Sequence, residues 1–164
     1  MEIRPVEMKD SENFLNLMMS LEYNTQDDLY VEKKINLSNT EDILSDMLQD
    51  GRSQIFLALE NQEMQGYISM RGNHSETTKH RAVVSMGVLK SEQKNSIGRN
   101  LLNAAIRWAE DIQIHRLEAA IRDDHEEMIE LYKMLGFLEE GERVDAVNID
   151  GIYRNEKYLY RLIN

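Results

Sequence analysis

The sequence predicts an α/β (α+β) fold built on one mixed, mostly antiparallel sheet, and two features of its pattern support this prediction. Apolar runs joined by short polar turns predict antiparallel hairpins at residues 55–70 and 143–163. An amphipathic segment, residues 97–112, lies between two apolar runs and predicts a helix that connects two parallel strands. The order of elements is therefore β-α-α-β-β-β-α-β-α-β-β, and the chain shows no repeat or linker.

The first elements are a short strand and two helices. Residues 2–6 alternate weakly, which predicts a strand. Residues 8–23 have apolar side chains at nearly helical spacing, and this spacing returns at residues 43–48, after which Gly51 is placed to end the helix. The intervening residues 24–39 are polar without a clear period, which predicts a loop or an irregular helix.

The central strands are predicted from compact apolar runs. Residues 55–59 and 64–70 flank a polar turn, whereas residues 82–89 are apolar on both faces and therefore belong in the interior of the sheet. Residues 97–112 place their apolar side chains on one stripe, as a helix that covers the sheet requires. Residues 116–121 then predict the next strand.

The last elements are a helix and a closing hairpin. Asp124 is placed to cap the helix, Glu127 occupies the capping-box position, and Gly136 is placed to end it. The dipeptide Asp150-Gly151 is typical of the two-residue turn of a β-hairpin.

Composition limits the class of protein. The 164 residues fit one domain, residues 1–164, and 30 acidic against 19 basic residues give a net charge of −11, which argues against a partner made of nucleic acid. The absence of cysteine excludes disulfides, a thiolate nucleophile and Cys-ligated zinc, and the four histidines lack paired ligand spacing, so we expect no metal. No apolar stretch approaches the ~20 residues of a membrane span and no signal-peptide block is present, so we expect a cytoplasmic protein without a membrane partner.

The segment with the clearest chemistry is residues 88–102, where a buried strand runs into a polar loop that opens the amphipathic helix. A helix start offers unpaired N–H groups and a positive dipole end, and the small residues Ser96 and Gly98 allow a ligand to approach the backbone. Lys94 and Arg99 add positive charge, so the combination suits a pyrophosphate. From these features alone, an ordinary strand-loop-helix junction capped by a polar side chain remains an alternative.

Four segments together resemble the GNAT N-acetyltransferase superfamily. Residues 93–98, Gln-Lys-Asn-Ser-Ile-Gly, resemble the acetyl-CoA signature Gln/Arg-x-x-Gly-x-Gly/Ala, and residues 115–118 look like the strand that follows it. Residues 131–137 are similar to the family's Leu-Tyr-x-x-x-Gly-Phe element, and residues 141–153 resemble its closing hairpin. All four occur in the family's order along nearly the whole chain.

This resemblance implies a GNAT-like twisted sheet with helices on both faces, in which the central parallel strands 82–89 and 115–121 splay apart to form a V-shaped cleft. Acetyl-CoA is the implied co-substrate, with its pantetheine arm along the first of these strands and its pyrophosphate on the helix start. The implied binding residues are Met86, Gly87, Val88, Gln93, Lys94, Asn95, Ser96, Ile97, Gly98, Arg99 and His125.

The resemblance also implies that an amine attacks the thioester directly in a ternary complex, and a chain without cysteine has no acyl-Cys route. A backbone N–H near Val88 would stabilise the oxyanion, and Tyr132 would protonate the leaving thiolate. On residue pattern alone, Tyr132 is better explained as a packing residue beside Met128 and Leu135, and the Leu-Tyr-x-x-x-Gly-Phe context reverses that preference.

Three departures from the family pattern keep a second hypothesis open. Ser96 replaces the first signature glycine, His125 stands where many relatives have Asn, and Val83 aligns with a frequent strand glutamate. A non-catalytic acyl-CoA-binding or interaction module on the same fold is therefore the alternative. No residue is identified as the general base; His80, near the cleft strand, is a candidate, and its alternative is a solvated loop histidine.

The acceptor and the oligomeric state are less constrained. The implied acceptor is an amine of a small molecule or a protein, and no segment of the sequence specifies which. Apolar and aromatic residues of the late hairpin, including Tyr153, Tyr158 and Tyr160, predict a homodimer, unless these rings face the core of their own domain.

Overall fold

The computed structural model describes residues 1–21, 29–91 and 93–163, and these contain seven strands and four α-helices. The helices are α1 (Ser11–Ser20), α2 (Leu37–Gln49), α3 (Lys94–Asp111) and α4 (Glu126–Met134). The strands are β1 (Glu2–Pro5), β2 (Ser53–Glu60), β3 (Glu63–Gly72), β4 (Arg81–Val88), β5 (Arg116–Arg122), β6 (Leu138–Ile149) and β7 (Ile152–Leu162).

The strands form one sheet of order β1-β2-β3-β4-β5-β7-β6. Every adjacent pair is antiparallel except β4 and β5, which α3 connects as a parallel crossover. The predicted mixed, mostly antiparallel sheet is therefore confirmed. Strand β7 lies between β5 and β6, so the closing hairpin adds to the sheet through its second strand.

Helices cover both faces of the sheet, as expected. The alternation of side chains along β4 separates two cores, because successive residues of a strand point to opposite faces. Ala82, Val84, Met86 and Val88 pack in the core beneath α3 and α4. The opposite core is formed under α1 and α2 and includes Tyr67 of β3.

Strands β4 and β5 separate soon after they begin. Their register pairs join Arg81 to Arg116, Ala82 to Leu117 and Val83 to Glu118, and no pair follows. Both strands nevertheless continue, β4 to Val88 and β5 to Arg122, so their carboxyl-terminal halves diverge. The predicted splay is therefore confirmed.

A buried ion pair anchors the first strand to the first helical turn. Arg4 donates from both terminal guanidinium nitrogens to the Asp10 carboxylate, each at 2.8 Å, and the Glu7 N–H donates to the same group at 2.7 Å. The Asp10 residue is 4% exposed. This contact fixes β1 against the 3-10 turn Met8–Asp10, which replaces the predicted first turn of α1.

The predicted cap of α4 is wrong. His125, not Asp124, is the N-cap residue, and its side chain makes no capping hydrogen bond. The Asp124 carboxylate instead accepts two hydrogen bonds from the Arg122 guanidinium, at 3.0 and 2.9 Å. The Asp124 carboxylate therefore binds the Arg122 guanidinium in a bidentate ion pair instead of capping the helix.

The other boundaries differ by small amounts. Helix α3 begins three residues before the predicted start, and Asp150 and Gly151 adopt φ values of 51° and 86°, which confirms the two-residue hairpin turn. Of the predicted loop or irregular helix at residues 24–39, residues 24–28 lie outside the described ranges.

Candidate active site

The diverging halves of β4 and β5 are the walls of a cleft. The N–H of Leu89 donates to the carbonyl of Gln65 at 2.8 Å, which shows that the odd-numbered residues of β4 hydrogen bond with β3. Even-numbered residues beyond the last β4–β5 pair therefore direct their N–H and C=O groups into the cleft. These residues are Val84, Met86 and Val88.

The amino-terminal end of α3 closes one end of this cleft. Gln93, its N-cap, makes no capping hydrogen bond, and the first turn contains no acidic residue. The N–H of Ile97 donates to the Gln93 carbonyl at 2.9 Å, so the N–H groups of Asn95 and Ser96 precede the first helical hydrogen bond. These amides, the helix dipole and Lys94 make the helix start suitable for an anion.

A narrow cleft joins the helix start to β4 and α4. Five residues predicted to bind the co-substrate line it, together with three residues of α4 that the sequence analysis did not assign to the site. The lining residues are Met86, Val88, Lys94, Asn95, Gly98, Glu127, Met128 and Leu131. Helical spacing places the last three on neighbouring positions of α4, but only the packing of α4 on α3 reveals that they face the cleft.

The other signature residues surround the cleft. The side chains of Gln93, Ser96 and Arg99 are exposed at its rim. Ile97 is 1% exposed and packs in the core under α3, and the N–H and C=O groups of Gly87 face β3. These predicted residues therefore do not all contact the cleft: some side chains are exposed at its rim, Ile97 lies in the core, and the Gly87 backbone pairs with β3.

Gly98 has a packing role beyond the predicted approach of a ligand. A Cβ atom at this position would lie 2.7 Å from Leu131 Cδ2 and 3.6 Å from Met86 Cε. The absent side chain lets α3 approach α4 closely, and this approach sets the width of the cleft.

His125 lies at the mouth of the cleft, where α4 begins. Burial lowers the pKa of its imidazole below the ordinary value of 6.5, Arg122 and Lys94 lower it further, and Asp124 and Asp123 oppose the shift. The imidazole is therefore neutral near pH 7, so His125 offers hydrogen bonds to a ligand rather than a positive charge.

Tyr132 is buried one residue along α4 from the cleft-lining Leu131. Its side chain is 2% exposed, and its ring meets the ring of Phe137 edge-on at a centroid distance of 4.9 Å and an angle of 76°. The ring therefore packs as the residue pattern suggested. Packing of the ring and proton donation by the hydroxyl are compatible, and the second stays a prediction.

His80 lies at the other end of β4, where the strands are still paired. Its carbonyl accepts hydrogen bonds from the N–H groups of His115 and Arg116, at 2.9 and 3.0 Å. This position is remote from the helix start and gives His80 no contact with the splayed cleft. Val83, aligned with the family's strand glutamate, is 44% exposed on the opposite sheet face.

A cavity of about 370 Å³ opens on that opposite face, between α2 and the ends of β2 and β3. Its wall includes Arg71 of β3, the register partner of Val83, and Val83 is the last β4 residue that pairs with β5. Burial opposes ionisation of Asp50 in this wall, but hydrogen bonds from the Arg52 N–H, Ser53 and His74 outweigh it and hold the Asp50 pKa below its ordinary value.

The described residues contain neither a candidate metal site nor a candidate membrane-spanning helix. No group of three or more His, Cys, Asp or Glu side chains within residues 1–21, 29–91 and 93–163 is arranged to hold a metal ion. None of the helices in these ranges is long and apolar enough to cross a membrane.

Comparison with known proteins identifies the family of this fold and cleft. The model of the acetyltransferase (GNAT) family matches residues 16–137, so the chain belongs to this family. The protein is therefore an N-acetyltransferase of a family whose co-substrate is acetyl-CoA.

Solved structures share the complete fold. The GNAT acetyltransferase from Streptococcus pneumoniae is 22% identical, with 99% of each chain covered and a TM-score of 0.85. The ribosomal-protein-alanine N-acetyltransferase from Brucella melitensis is 21% identical, with 99% of each chain covered and a TM-score of 0.83. A chimeric spermidine N-acetyltransferase from Vibrio cholerae and hSSAT is 20% identical, with 98% of this chain and 94% of that chain covered and a TM-score of 0.77. At these identities the comparison establishes the fold, not the acceptor.

Proposed function

We propose that this protein transfers the acetyl group of acetyl-CoA to a primary amine by direct attack within a ternary complex. The observation that supports this most strongly is the juxtaposition of the cleft-facing edge of β4, at Val84, Met86 and Val88, where the described strands β4 and β5 no longer pair, with the start of α3, where Gln93 makes no capping hydrogen bond. The edge suits the amide-bearing pantetheine arm, and the helix start suits the pyrophosphate. We further propose that residues 1–164 form one catalytic domain.

The residues around the cleft have separate tasks in this proposal. The N–H groups of Asn95 and Ser96 bind phosphate oxygens, and Lys94 and Arg99 add positive charge. The cleft-facing N–H and C=O groups of Met86 and Val88 bind the pantetheine amides as an added strand would. Packing between α3 and α4 holds this end of the cleft at a fixed width.

The transfer itself needs a neutral amine, a stabilised oxyanion and a proton for the leaving group. The amine nitrogen bonds to the thioester carbon while the carbon–sulfur bond breaks, and a cleft-facing N–H of β4 donates to the carbonyl oxygen as charge develops. The Tyr132 hydroxyl gives its proton to the departing thiolate, and solvent receives the proton that the amine loses.

The acceptor is proposed to enter through the cavity beside Arg71, because this cavity lies on the sheet face opposite α3 and Arg71 pairs with Val83, the last β4 residue before the splay. Its wall combines apolar side chains with the ionised Asp50 carboxylate. A cavity of about 370 Å³ matches a small molecule or the end of a peptide. The protein's net charge of −11 also favours a cationic acceptor in the encounter.

Release of free thiol from acetyl-CoA across a panel of amines tests the proposal. The panel contains peptide amino termini, lysine side chains, polyamines, aminoglycosides and amino acids. Amine-dependent release by the wild-type protein is the expected result. Calorimetric binding of acetyl-CoA without release for any amine would favour the non-catalytic acyl-CoA module.

A pair of charge substitutions on α3 tests the position of the pyrophosphate. Ser96→Glu places a carboxylate beside the proposed phosphate-binding amides, while an acid near a helix start is compatible with the fold. Asn100→Glu is the matched control, because Asn100 is also exposed and lies one turn further along α3. We expect Ser96→Glu to weaken CoA binding at least 10-fold more than Asn100→Glu, and equal effects would contradict the assignment.

A further inference from the structure

Among the described residues, one buried acceptor atom near the start of α4 has no hydrogen-bond partner. This atom is Asp123 Oδ1, which is inaccessible to solvent. Buried polar atoms are nearly always paired, so an orphaned carboxylate oxygen indicates a missing donor. The residue follows β5 directly and lies between the Arg122–Asp124 ion pair, so the neighbouring guanidinium is already engaged by Asp124.

The register of the sheet gives Asp123 its level in the cleft. Val83 pairs with Glu118, and both strands then advance by five residues to bring Asp123 to the level of Val88. The Asp123 N–H donates to the Asn155 carbonyl at 2.9 Å, so the ladder between β5 and β7 extends through this residue. Asp123 is therefore held on the β5 wall opposite the cleft-facing backbone of Val88.

The alternation of β5 gives its side chain a direction. Leu117, Ala119 and Ile121 pack in the core under α3 and α4, so the regular ladder through Asp123 places its side chain on the same face. This is the face from which α4 contributes Glu127 and Met128 to the cleft. Asp123 also acts electrostatically on His125, which agrees with a position at the cleft mouth.

We infer that Asp123 is a positioning residue that accepts a hydrogen bond from an N–H or O–H donor of the pantetheine arm of acetyl-CoA. The inference depends on the proposed function, because it assumes that the arm occupies the cleft. The phosphates and the acetyl thioester offer no N–H or O–H donor, whereas the pantetheine arm carries amide N–H groups and a hydroxyl. A donor of the arm, rather than the reacting acetyl group or the phosphates, is thus the group that meets the carboxylate.

This inference makes an unusual prediction for the free protein. Asp123→Ala removes a buried acceptor that has no partner, so the free variant should unfold at the same temperature as the wild type or higher. Its affinity for CoA should nevertheless fall about 10-fold or more, because a hydrogen bond to a charged group is lost only in the complex. Asp123→Asn retains an acceptor oxygen and should restore most of the CoA affinity.

Two further comparisons isolate the pantetheine arm. Adenosine 3′,5′-bisphosphate, which lacks the arm, should bind wild type and Asp123→Ala within 2-fold of each other. Asp124→Ala is the control for loss of a neighbouring negative charge. It should lower the unfolding temperature, because it breaks the ion pair with Arg122. It should not change the ratio of CoA affinity to bisphosphate affinity.

The outcomes separate this inference from the proposed function. Failure of the wild-type protein to bind CoA would overturn the proposed function itself. Wild-type CoA affinity in Asp123→Ala, or a lower unfolding temperature of its free form, would overturn only the role of Asp123. An equal change in bisphosphate affinity would also overturn it, because the carboxylate would then act on the phosphates and not on the arm.

Discussion

Replacement of Tyr132 by Phe tests the proton donor of the proposed reaction. The substitution removes one oxygen from a side chain that is 2% exposed and leaves the edge-on contact with Phe137 at 4.9 Å in place. The fold should therefore be retained. Since the substitution removes only one hydroxyl and changes none of the residues proposed to bind the pyrophosphate and the pantetheine amides, CoA affinity should change by less than 2-fold.

The expected loss is in the chemical step. A positioned general acid contributes roughly 10²-fold or more, and solvent has little access to replace a donor that is this deeply buried. We therefore expect kcat to fall about 10²-fold, which corresponds to about 2.7 kcal/mol of transition-state stabilisation. Single-turnover measurements of thiol release, which report chemistry rather than product release, are the appropriate assay.

Tyr67→Phe is the matched control. Tyr67 is also fully buried and its ring also meets a phenylalanine edge-on, that of Phe14 at 5.4 Å, but it lies in the opposite core. Removal of its hydroxyl should leave the single-turnover rate unchanged. A wild-type rate in Tyr132→Phe, or equal rate losses in both variants, would refute the assignment of Tyr132 as the acid.

Four further predictions follow from particular contacts. Gly98→Glu should abolish CoA binding measured by calorimetry, because the added Cβ lies 2.7 Å from Leu131 Cδ2 and the side chain carries negative charge into the cleft. Unchanged CoA affinity would contradict the assignment of the co-substrate site to this loop. The pKa of His125 is lower in the folded protein than its ordinary 6.5, so on acidification the unfolded chain takes up the proton first. The free energy of unfolding should therefore fall as pH drops below about 6.5. In urea titrations, His125→Asn should lack the share of this pH-dependent loss that His125 contributes. Asp10→Asn should lower the free energy of unfolding by about 2 kcal/mol at pH 7 in the same titrations. Because Arg4 lowers the Asp10 pKa below 3.8, the difference in stability between the wild type and this variant should shrink as pH falls through that lowered pKa. Sedimentation at high protein concentration should show a homodimer, and a monomer would contradict that expectation.

Local patterns predicted most of the helices and strands. The apolar stripe at residues 97–112 identified α3 because its period follows directly from helical geometry. The Asp150-Gly151 turn was equally predictable, because few dipeptides accept two positive φ values. The splay of β4 and β5 came from family resemblance, since no residue period reports where two paired strands part.

The remaining features depend on contacts between distant segments. The capping prediction at Asp124 failed because Arg122 competes for the carboxylate, and pattern matching considers one partner at a time. The insertion of β7 between β5 and β6 is a choice of topology that a hairpin signal leaves open. The cleft-lining face of α4, including Glu127, depends on how α4 packs against α3.

Amide hydrogen exchange followed by NMR tests the proposed binding mode most directly, because neighbouring N–H groups of β4 point alternately into the cleft and toward β3. The N–H groups of Met86 and Val88 face the cleft, and that of Ser96 precedes the helical ladder, whereas the N–H of Gly87 faces β3. Addition of CoA should slow exchange at the first three amides by at least 10-fold and leave Gly87 within 2-fold of its rate in the free protein. Unchanged exchange at all three under saturating CoA, or protection confined to other segments, would contradict the proposed binding mode.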